Sequence, residues 1–318
     1  MADVLPIKPV NTDTSNPAAL NSQCGADYVK TKQALPPSVQ SAGYLSKPGT
    51  RACSFDGDAD RIVYYFMEDG KTFKLLDGDK IAVMVAMFFV DLVNKTKLSE
   101  DKRPEVGVVQ TAYANGSSTK YLRGVSLSHS RRCHTKADTS QRNIPVTCVP
   151  TGVKHLHHAA QRYDIGVYFE ANGHGTVLFS DDCLENLRKA EPDSPDSANA
   201  IKHLLAFSEL INQAVGDSLS DMLMVEAVLA HRGWGAFEWN AAYEDLPNRL
   251  LKVEVPDRNI FVATDAERKL ASPELAQGRI EEAMRKVEAG RAFVRPSGTE
   301  DCVRVYAEAS TNSQAEGE

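Results

Sequence analysis

The sequence DIGVYFEANGHG, residues 164–175, sets a short apolar run directly before a polar loop that contains two glycines. The run Ile165–Phe169 has the length and the β-branched and aromatic content of a buried strand. Glu170, Asn172 and His174 alternate just after it, where ligands of α/β proteins usually bind. Together they offer donors and acceptors to vicinal sugar hydroxyls. Taken alone, the loop is better explained as a glycine-rich hairpin with its polar side chains in water.

Apolar runs on both sides of this stretch alternate between strand and helix lengths, which is typical of an α/β domain. We expect this domain over residues 77–240, with 181–198 as an acidic, solvated connection, and a smaller α+β domain over 246–318. The predicted strands are Arg61–Phe66, Val106–Gln110, Val146–Val149, Ile165–Phe169, Val177–Phe179, Leu250–Val255, Arg291–Arg295 and Cys302–Ala307. The predicted helices are Lys80–Asn94, Val153–Gln161, Ile201–Val215, Ser218–Ala230 and Pro273–Val287. The first of them is expected to be buried and to be capped by Asp77 or Asp79.

The segment FDGDADR carries three alternating carboxylates, Asp56, Asp58 and Asp60. In a looping backbone this spacing directs hard anionic oxygens toward one point, which suits Mg²⁺. An EF-hand begins in the same way, but its sixth position would be Arg61 rather than glycine, and its twelfth would be Met67 rather than glutamate. A solvated acidic turn is the alternative. The adjacent arginine favours a cation site with a bridging phosphate.

The segment RPSGT combines the guanidinium of Arg295, the hydroxyls of Ser297 and Thr299, and free backbone N–H groups around Gly298. Such a nest binds phosphate oxygens. Arg304, in the strand predicted to follow, would add a second guanidinium. The alternative is a plain Pro-Ser-Gly turn in a hairpin.

The three loops, in this order, resemble the α-D-phosphohexomutase superfamily. Longer segments are similar to the eukaryotic phosphoacetylglucosamine mutase family, and the resemblance runs from about residue 21 to about residue 309. These segments are 110–119, 151–158, 164–175, 220–223, 245–249 and 293–307, which read QTAYANGSST, TGVKHLHH, DIGVYFEANGHG, SDML, DLPNR and FVRPSGTEDCVRVYA.

The resemblance implies an isomerase that interconverts N-acetylglucosamine 6-phosphate and 1-phosphate for UDP-N-acetylglucosamine synthesis. In this family a phosphoserine donates phosphate to the sugar, a sugar 1,6-bisphosphate forms as intermediate and primer, and one Mg²⁺ neutralises charge. The implied metal ligands are Asp56, Asp58 and Asp60, the sugar readers are Glu170, Asn172 and His174, and the phosphate clamp is Arg295, Ser297, Gly298, Thr299 and Arg304. Arg61 would neighbour the transferring phosphate, and Lys154 would contact substrate or transfer a proton.

The family's serine lies in a Thr-Ala-Ser-His-Asn-type loop, and nothing in this sequence matches it. We therefore expect an incomplete multidomain protein of the phosphohexomutase type, a C-terminal portion without the phosphoserine domain. Its expected parts are a remnant of the second domain with the metal loop (1–76), an α/β third domain (77–240) with an irregular insert over 124–143, and an α+β fourth domain (246–318). We expect such a chain, by itself, to convert little or no substrate.

Two other functions fit part of the pattern. A non-catalytic relative would bind Mg²⁺ and a phosphosugar without transferring phosphate. An unrelated Mg²⁺-dependent sugar phosphatase would use Asp56 as nucleophile, but the sugar and phosphate loops would then be unexplained.

The chain of 318 residues is long enough for two or three domains. A net charge of -7 and a pI near 5.7 argue against nucleic-acid binding. Six scattered cysteines indicate reduced thiols in the cytosol rather than a disulfide framework. No signal peptide is visible, and the most apolar run, 81–90, is too short for a membrane span. We expect a cytosolic monomer whose partner is a phosphorylated N-acetylhexosamine.

Overall fold

The computed structural model describes residues 5–124 and 143–317, and its fold is mixed α/β. The interior of the predicted insert, 125–142, lies outside the described residues. Four sheets occur within the described ranges: two antiparallel three-stranded sheets, a two-stranded ribbon and a mostly parallel four-stranded sheet. Every helix in these ranges is too short or too polar to cross a bilayer.

The first sheet, of order β1-β2-β3, joins the N-terminal segment to the rest of the molecule. Its elements are α1 (Gly25–Lys32), α2 (Pro37–Ala42), β1 (Arg51–Phe55), β2 (Ile62–Met67) and β3 (Phe73–Leu76). All of β2 is buried. Because side chains alternate along a strand, Val63, Tyr65 and Met67 pack in a core with α1 and α2. The intervening side chains lie in the main core of the molecule.

The central sheet, of order β5-β4-β6-β7, organises the largest part of the chain. Its strands are β4 (Val106–Gln110), β5 (Val146–Cys148), β6 (Ile165–Phe169) and β7 (Gly175–Phe179). Its helices are α3 (Gly78–Thr96), α4 (Gly116–Leu122), α5 (Val153–Ala160), α6 (Asp181–Lys189), α7 (Pro195–Leu210), α8 (Ser218–Arg232) and α9 (Ala236–Asn240). β4 runs parallel to both β5 and β6, so the carboxyl ends of these strands share one edge. β7 returns antiparallel to β6.

Helix α3 is buried on nearly all sides. An α-helix that is apolar all round belongs in a core rather than on a surface. It begins as predicted at an acidic cap: Asp77 Oδ1 accepts hydrogen bonds from the N–H groups of Asp79 (3.1 Å) and Lys80 (3.3 Å). The N-terminus of α3 therefore lies next to the carboxyl end of β6.

The prediction that 181–198 is a solvated connection is wrong. Helix α6 occupies its first half, and α7 begins within it, at Pro195. Ser180 caps α6 by accepting from the N–H of Cys183, and Cys183 and Leu187 are buried at helical spacing. The acidic residues of α6 that suggested a solvated connection, Asp181, Asp182 and Glu185, lie on the exposed face of this amphipathic helix.

The last part of the described chain is a smaller α+β unit. It contains β8 (Asn248–Glu254), β9 (Val262–Thr264), β10 (Lys269–Ser272), α10 (Glu274–Arg285), β11 (Arg291–Pro296), β12 (Cys302–Glu308) and α11 (Asn312–Glu316). The sheet order is β11-β12-β8, and β9 and β10 form the ribbon. α10 has no buried residue, and β8 is largely exposed. This unit therefore has a much thinner core than the central sheet.

Candidate functional site

The cation loop, residues 56–61, is the connection between β1 and β2, whose facing ends are Phe55 and Ile62. Asp56 Oδ1 accepts hydrogen bonds from the backbone N–H groups of Asp60 (3.1 Å) and Arg61 (3.0 Å). This closes the loop and turns its side chains to one place. As a result, Asp56, Asp58 and Asp60 each offer a carboxylate oxygen within 4.8 Å of the others.

The donor set of the cation loop fits a hard divalent ion. Asp60 Oδ1 is buried and accepts no hydrogen bond. Burial raises the pKa of Asp56, and the neighbouring carboxylates Asp58 and Asp60 add to the rise. Three clustered carboxylates of this kind are the ligands that Mg²⁺ prefers. The clustered oxygens therefore suit a divalent cation, and that Asp56, Asp58 and Asp60 bind one stays a prediction.

Arg61 ties the cation loop to helix α1. Its Nη1 lies 2.9 Å from both carboxylate oxygens of Asp27. Its Nε lies 3.7 Å from Asp56 Oδ2 and 3.6 Å from Asp60 Oδ1. Sequence reasoning missed Asp27, because an isolated aspartate in a short helix carries no motif.

The sugar loop, residues 170–174, is the hairpin between β6 and β7, and it packs directly on the cation loop. The N–H of Ile62 donates to Gly173 O at 3.1 Å. Gly173 has φ +91°, and a Cβ there would lie 1.9 Å from Ile62 O. Glycine is required on both grounds. Behind the loop, a Cβ on Gly78 at the start of α3 would lie 1.8 Å from Glu170 O.

The polar side chains of the sugar loop are partly buried rather than fully solvated. Asn172 Oδ1 accepts from the N–H of His174 at 3.0 Å. His174 Nδ1 lies 3.3 Å from Asp60 Oδ2. The glycine-rich hairpin that we considered as the alternative is present, but hydrogen bonding and the His174–Asp60 contact fix it against the cation loop. That Glu170, Asn172 and His174 read a sugar stays a prediction.

The phosphate loop, residues 295–299, consists of the last two residues of β11 and the first part of the turn that leads to β12. Ser297 Oγ accepts from the N–H groups of Thr299 (3.4 Å) and Glu300 (3.3 Å). Gly298 and Thr299 are exposed. Arg295 Nε donates to Tyr113 Oη at 2.9 Å. Since Tyr113 follows β4, this bond brings the phosphate loop to the carboxyl edge of the central sheet.

Glu267, in the turn between β9 and β10, is a site residue that sequence reasoning missed. Its Oε2 accepts from Thr151 N (2.9 Å) and Thr151 Oγ1 (2.5 Å). Its Oε1 lies 3.4 Å from Arg295 Nη1. Glu267 thus bridges the predicted phosphate clamp and the loop before α5. Lys154 lies in the first turn of α5 and is exposed.

The loops that follow β4, β5 and β6 supply Tyr113, Thr151 and Glu170, so they belong to one edge of the sheet. Ligands of open α/β sheets bind outside the carboxyl ends of the strands. The cation loop joins this edge through the sugar loop, and the phosphate loop joins it through Tyr113 and Glu267.

Family models match three parts of the chain. The description "Phosphoacetylglucosamine mutase AMG1, domain III" matches residues 77–234, and domain II of the same family matches 4–63. The chain belongs to the phosphoacetylglucosamine mutase family. Residues 250–318 match the C-terminal domain of phosphoglucomutase/phosphomannomutase. The mixed α/β fold is that of the phosphohexomutase superfamily.

Individual relatives agree with the family models. The chain is 48% identical to phosphoacetylglucosamine mutase of Candida albicans over 310 residues, which cover 96% of this chain and 52% of that protein. It is 48% identical to the Homo sapiens phosphoacetylglucosamine mutase over 298 residues, which cover 93% of this chain and 50% of that protein. The chain thus spans about half the length of these curated relatives.

Solved structures show the same fold. N-acetylphosphoglucosamine mutase of Aspergillus fumigatus, in complex with GlcNAc-6P and magnesium, is 52% identical with a TM-score of 0.87. That match covers 98% of this chain and 57% of the neighbour. A serine-to-alanine variant of the Aspergillus protein, in complex with glucose 1,6-bisphosphate, has a TM-score of 0.85 at 52% identity over 98% of this chain and 53% of the variant.

Proposed function

We propose that this chain supplies the sugar-, cation- and phosphate-binding parts of a phosphoacetylglucosamine mutase, which interconverts N-acetylglucosamine 6-phosphate and 1-phosphate. The observation that carries the proposal is the junction of the cation loop with the sugar loop, where His174 Nδ1 lies 3.3 Å from Asp60 Oδ2. A phosphoryl group at the cation loop would lie beside the sugar that accepts it. The Aspergillus neighbour bound to GlcNAc-6P and magnesium supports the substrate class.

The chain's own residues would bind and orient the substrate. Arg295 and the N–H groups around Gly298 would hold the phosphate that does not react, through charge-assisted hydrogen bonds. Glu170, Asn172 and His174 would hydrogen-bond sugar hydroxyls, and His174 Nδ1 would also orient Asp60. Holding both ends of the phosphosugar brings the reacting hydroxyl to the transferring phosphate, which lowers the entropic part of the barrier.

Arg61 would neutralise charge at the transferring phosphate. Its Nε lies near two carboxylates of the cation loop, and Asp27 holds its other end. A guanidinium placed in this way suits phosphate oxygens. One Mg²⁺ held by Asp56, Asp58 and Asp60 would supply charge neutralisation for phosphoryl transfer. Lys154 would contact the substrate or transfer a proton from the start of α5.

Turnover in this family passes through a phosphoserine, with a sugar 1,6-bisphosphate as intermediate. No segment of this sequence reads Thr-Ala-Ser-His-Asn. Both half-reactions need the covalent carrier. We therefore expect this polypeptide, assayed by itself, to bind the phosphosugar but to turn it over little.

The test measures binding and turnover on one preparation shown to be folded by circular dichroism. Calorimetry would titrate N-acetylglucosamine 6-phosphate with and without Mg²⁺. A coupled assay with a sugar bisphosphate primer and a UDP-sugar pyrophosphorylase would detect the 1-phosphate. We expect binding, little turnover, and loss of Mg²⁺ binding in Asp58→Asn. Because the Asp58 side chain is exposed, this variant should fold like the parent chain.

Three outcomes would contradict parts of this proposal. Turnover that Asp58→Asn abolishes would show that the chain is active without the family's serine motif. Absence of sugar-phosphate binding by the folded chain would overturn the substrate assignment. Release of inorganic phosphate would favour a phosphatase.

A further inference from the structure

Three cations lie side by side across the sheet that carries the phosphate loop. Arg295 on β11 pairs with Arg304 on β12, and Arg304 pairs with Lys252 on β8. Directly opposed residues of antiparallel strands project to the same face, with Cβ atoms about 5 Å apart. With strands about 4.8 Å apart, the row is about 10 Å long.

This row works against the stability of the sheet. Like charges directly opposite each other on neighbouring strands are destabilising. Arg304 and Lys252 retain 38% and 41% of their side-chain exposure, so solvent screens them only in part. The arrangement is favourable only with anions in front of it, which carboxylates of the chain or a bound phosphate would supply.

Two carboxylates of the chain mark where anionic oxygens lie along the row. Glu300 Oε2 lies 2.8 Å from Lys252 Nζ and 3.9 Å from Arg304 Nη2, so both cations reach a single oxygen. Glu267 Oε1 lies 3.4 Å from Arg295 Nη1. The Glu300 side chain is 51% exposed, so it is free to turn into solvent when another anion arrives.

We propose that Lys252 is a third cation of the phosphate site and acts with Arg304 on a phosphate oxygen at the position of Glu300 Oε2. The inference rests on the proposed function, in which a sugar phosphate binds the loop 295–299. Sequence reasoning missed Lys252 because it lies on a strand remote from that loop in the chain, and only the register of the sheet brings the two together.

The experiment measures the affinity of the full chain for inorganic phosphate and for N-acetylglucosamine 6-phosphate, without divalent cations, at two salt concentrations. Lys252→Met removes the charge and keeps the side-chain length. We expect it to weaken binding about fivefold, the size of one partly exposed charge-assisted contact, and to lessen the salt dependence. Lys252→Arg should restore most of the affinity.

The matched control is Lys74→Met. Lys74 is also a strand lysine, 36% exposed, with Nζ 3.4 Å from Glu68 Oε2, but it lies on β3 in the first sheet. We expect no change in affinity from it. Equal weakening by both lysine variants would mean general electrostatic attraction and would overturn the inference.

A double-mutant cycle separates contact with phosphate from an indirect role through Glu300. In the Glu300→Gln background, Lys252→Met should still weaken binding if Lys252 touches the phosphate. Loss of the effect there would mean that Lys252 only holds Glu300, and the inference would fail. If the parent chain binds no phosphate, the proposed function fails with it. If Arg295→Met abolishes binding and Lys252→Met changes nothing, only this inference fails.

Discussion

The cation and sugar loops differ sharply from the phosphate loop in how they are held. The first two join through a backbone hydrogen bond from Ile62 to Gly173, on a strand that is buried along its length. The phosphate loop stands on a sheet whose helix α10 has no buried residue. It reaches the rest of the site through side chains, from Arg295 to Tyr113 and Glu267.

The difference separates a preorganised part of the site from an adjustable one. Backbone contacts between buried strands allow little change in distance, which suits the position at which the proposed function places phosphate transfer. Side-chain contacts between partly exposed residues can break and reform as a ligand enters. Arg295 and Arg304 of the proposed phosphate clamp already lie near carboxylates of the chain itself, so a bound phosphate would have to replace them.

The strongest test of the comparison substitutes glycines in the two loops. Gly173→Ala sets a Cβ 1.9 Å from Ile62 O at a positive φ, and we expect it to prevent stable folding. Gly298→Ala has nothing within 4 Å of its Cβ and should fold like the parent chain. Thermal unfolding followed by circular dichroism checks both. A stable Gly173→Ala protein would refute the rigid junction.

A second test concerns the attachment of the phosphate unit. Arg291 donates to Glu308 Oε1 and Oε2 at 2.9 Å and to Ala112 O at 2.7 Å, while Gly116 N donates to both Glu308 oxygens at 3.1 Å. Arg291→Met leaves the buried Glu308 carboxylate without its cation. We expect it to lower the free energy of unfolding by about 3 kcal/mol, measured by urea denaturation.

The control for that test is Arg249→Met, which breaks an exposed ion pair with Glu316 beside the same sheet. An exposed pair contributes at most about 1 kcal/mol. If both substitutions cost the same, Arg291 does not anchor the phosphate unit to the central sheet. Hydrogen exchange of β11 and β12 should rise in Arg291→Met while exchange of β6 stays unchanged.

The smallest predicted effect is on phosphate affinity, and it tests whether the contact between Glu267 and Arg295 gives way when phosphate binds. Glu267→Gln keeps the shape of the side chain but removes the charge that would compete with a bound phosphate for Arg295. We expect phosphate to bind about two- to threefold more tightly, as measured by calorimetry, because solvent screens this partly exposed pair.

Asp265→Asn is the control for the Glu267 variant, since Asp265 lies in the same turn but pairs with Arg268 at 2.5 Å. It should leave phosphate affinity unchanged. Weaker binding by Glu267→Gln would mean that Glu267 positions Arg295 rather than competing for it.

Local patterns predicted much of the fold. The strands Val106–Gln110 and Ile165–Phe169 are confirmed at both ends, and α3 begins at the expected acidic cap. These elements are strongly apolar, so burial and hydrogen bonding favour one structure whatever lies around them. The prediction over 181–198 is wrong because the apolar pattern of α6 is weak. Its buried face consists of only Cys183 and Leu187, too few to distinguish a helix from a polar loop.

The sequence by itself determined the family, the three loops and the residue types that could hold a cation, a sugar and a phosphate, because these depend on short spacings within one segment. Only the tertiary structure decided that Asp27 holds Arg61, that Glu267 faces Arg295, and that Lys252 extends the cation row. These contacts join residues far apart in the chain. Their geometry follows from strand register and from how the sheets pack, which no local spacing encodes.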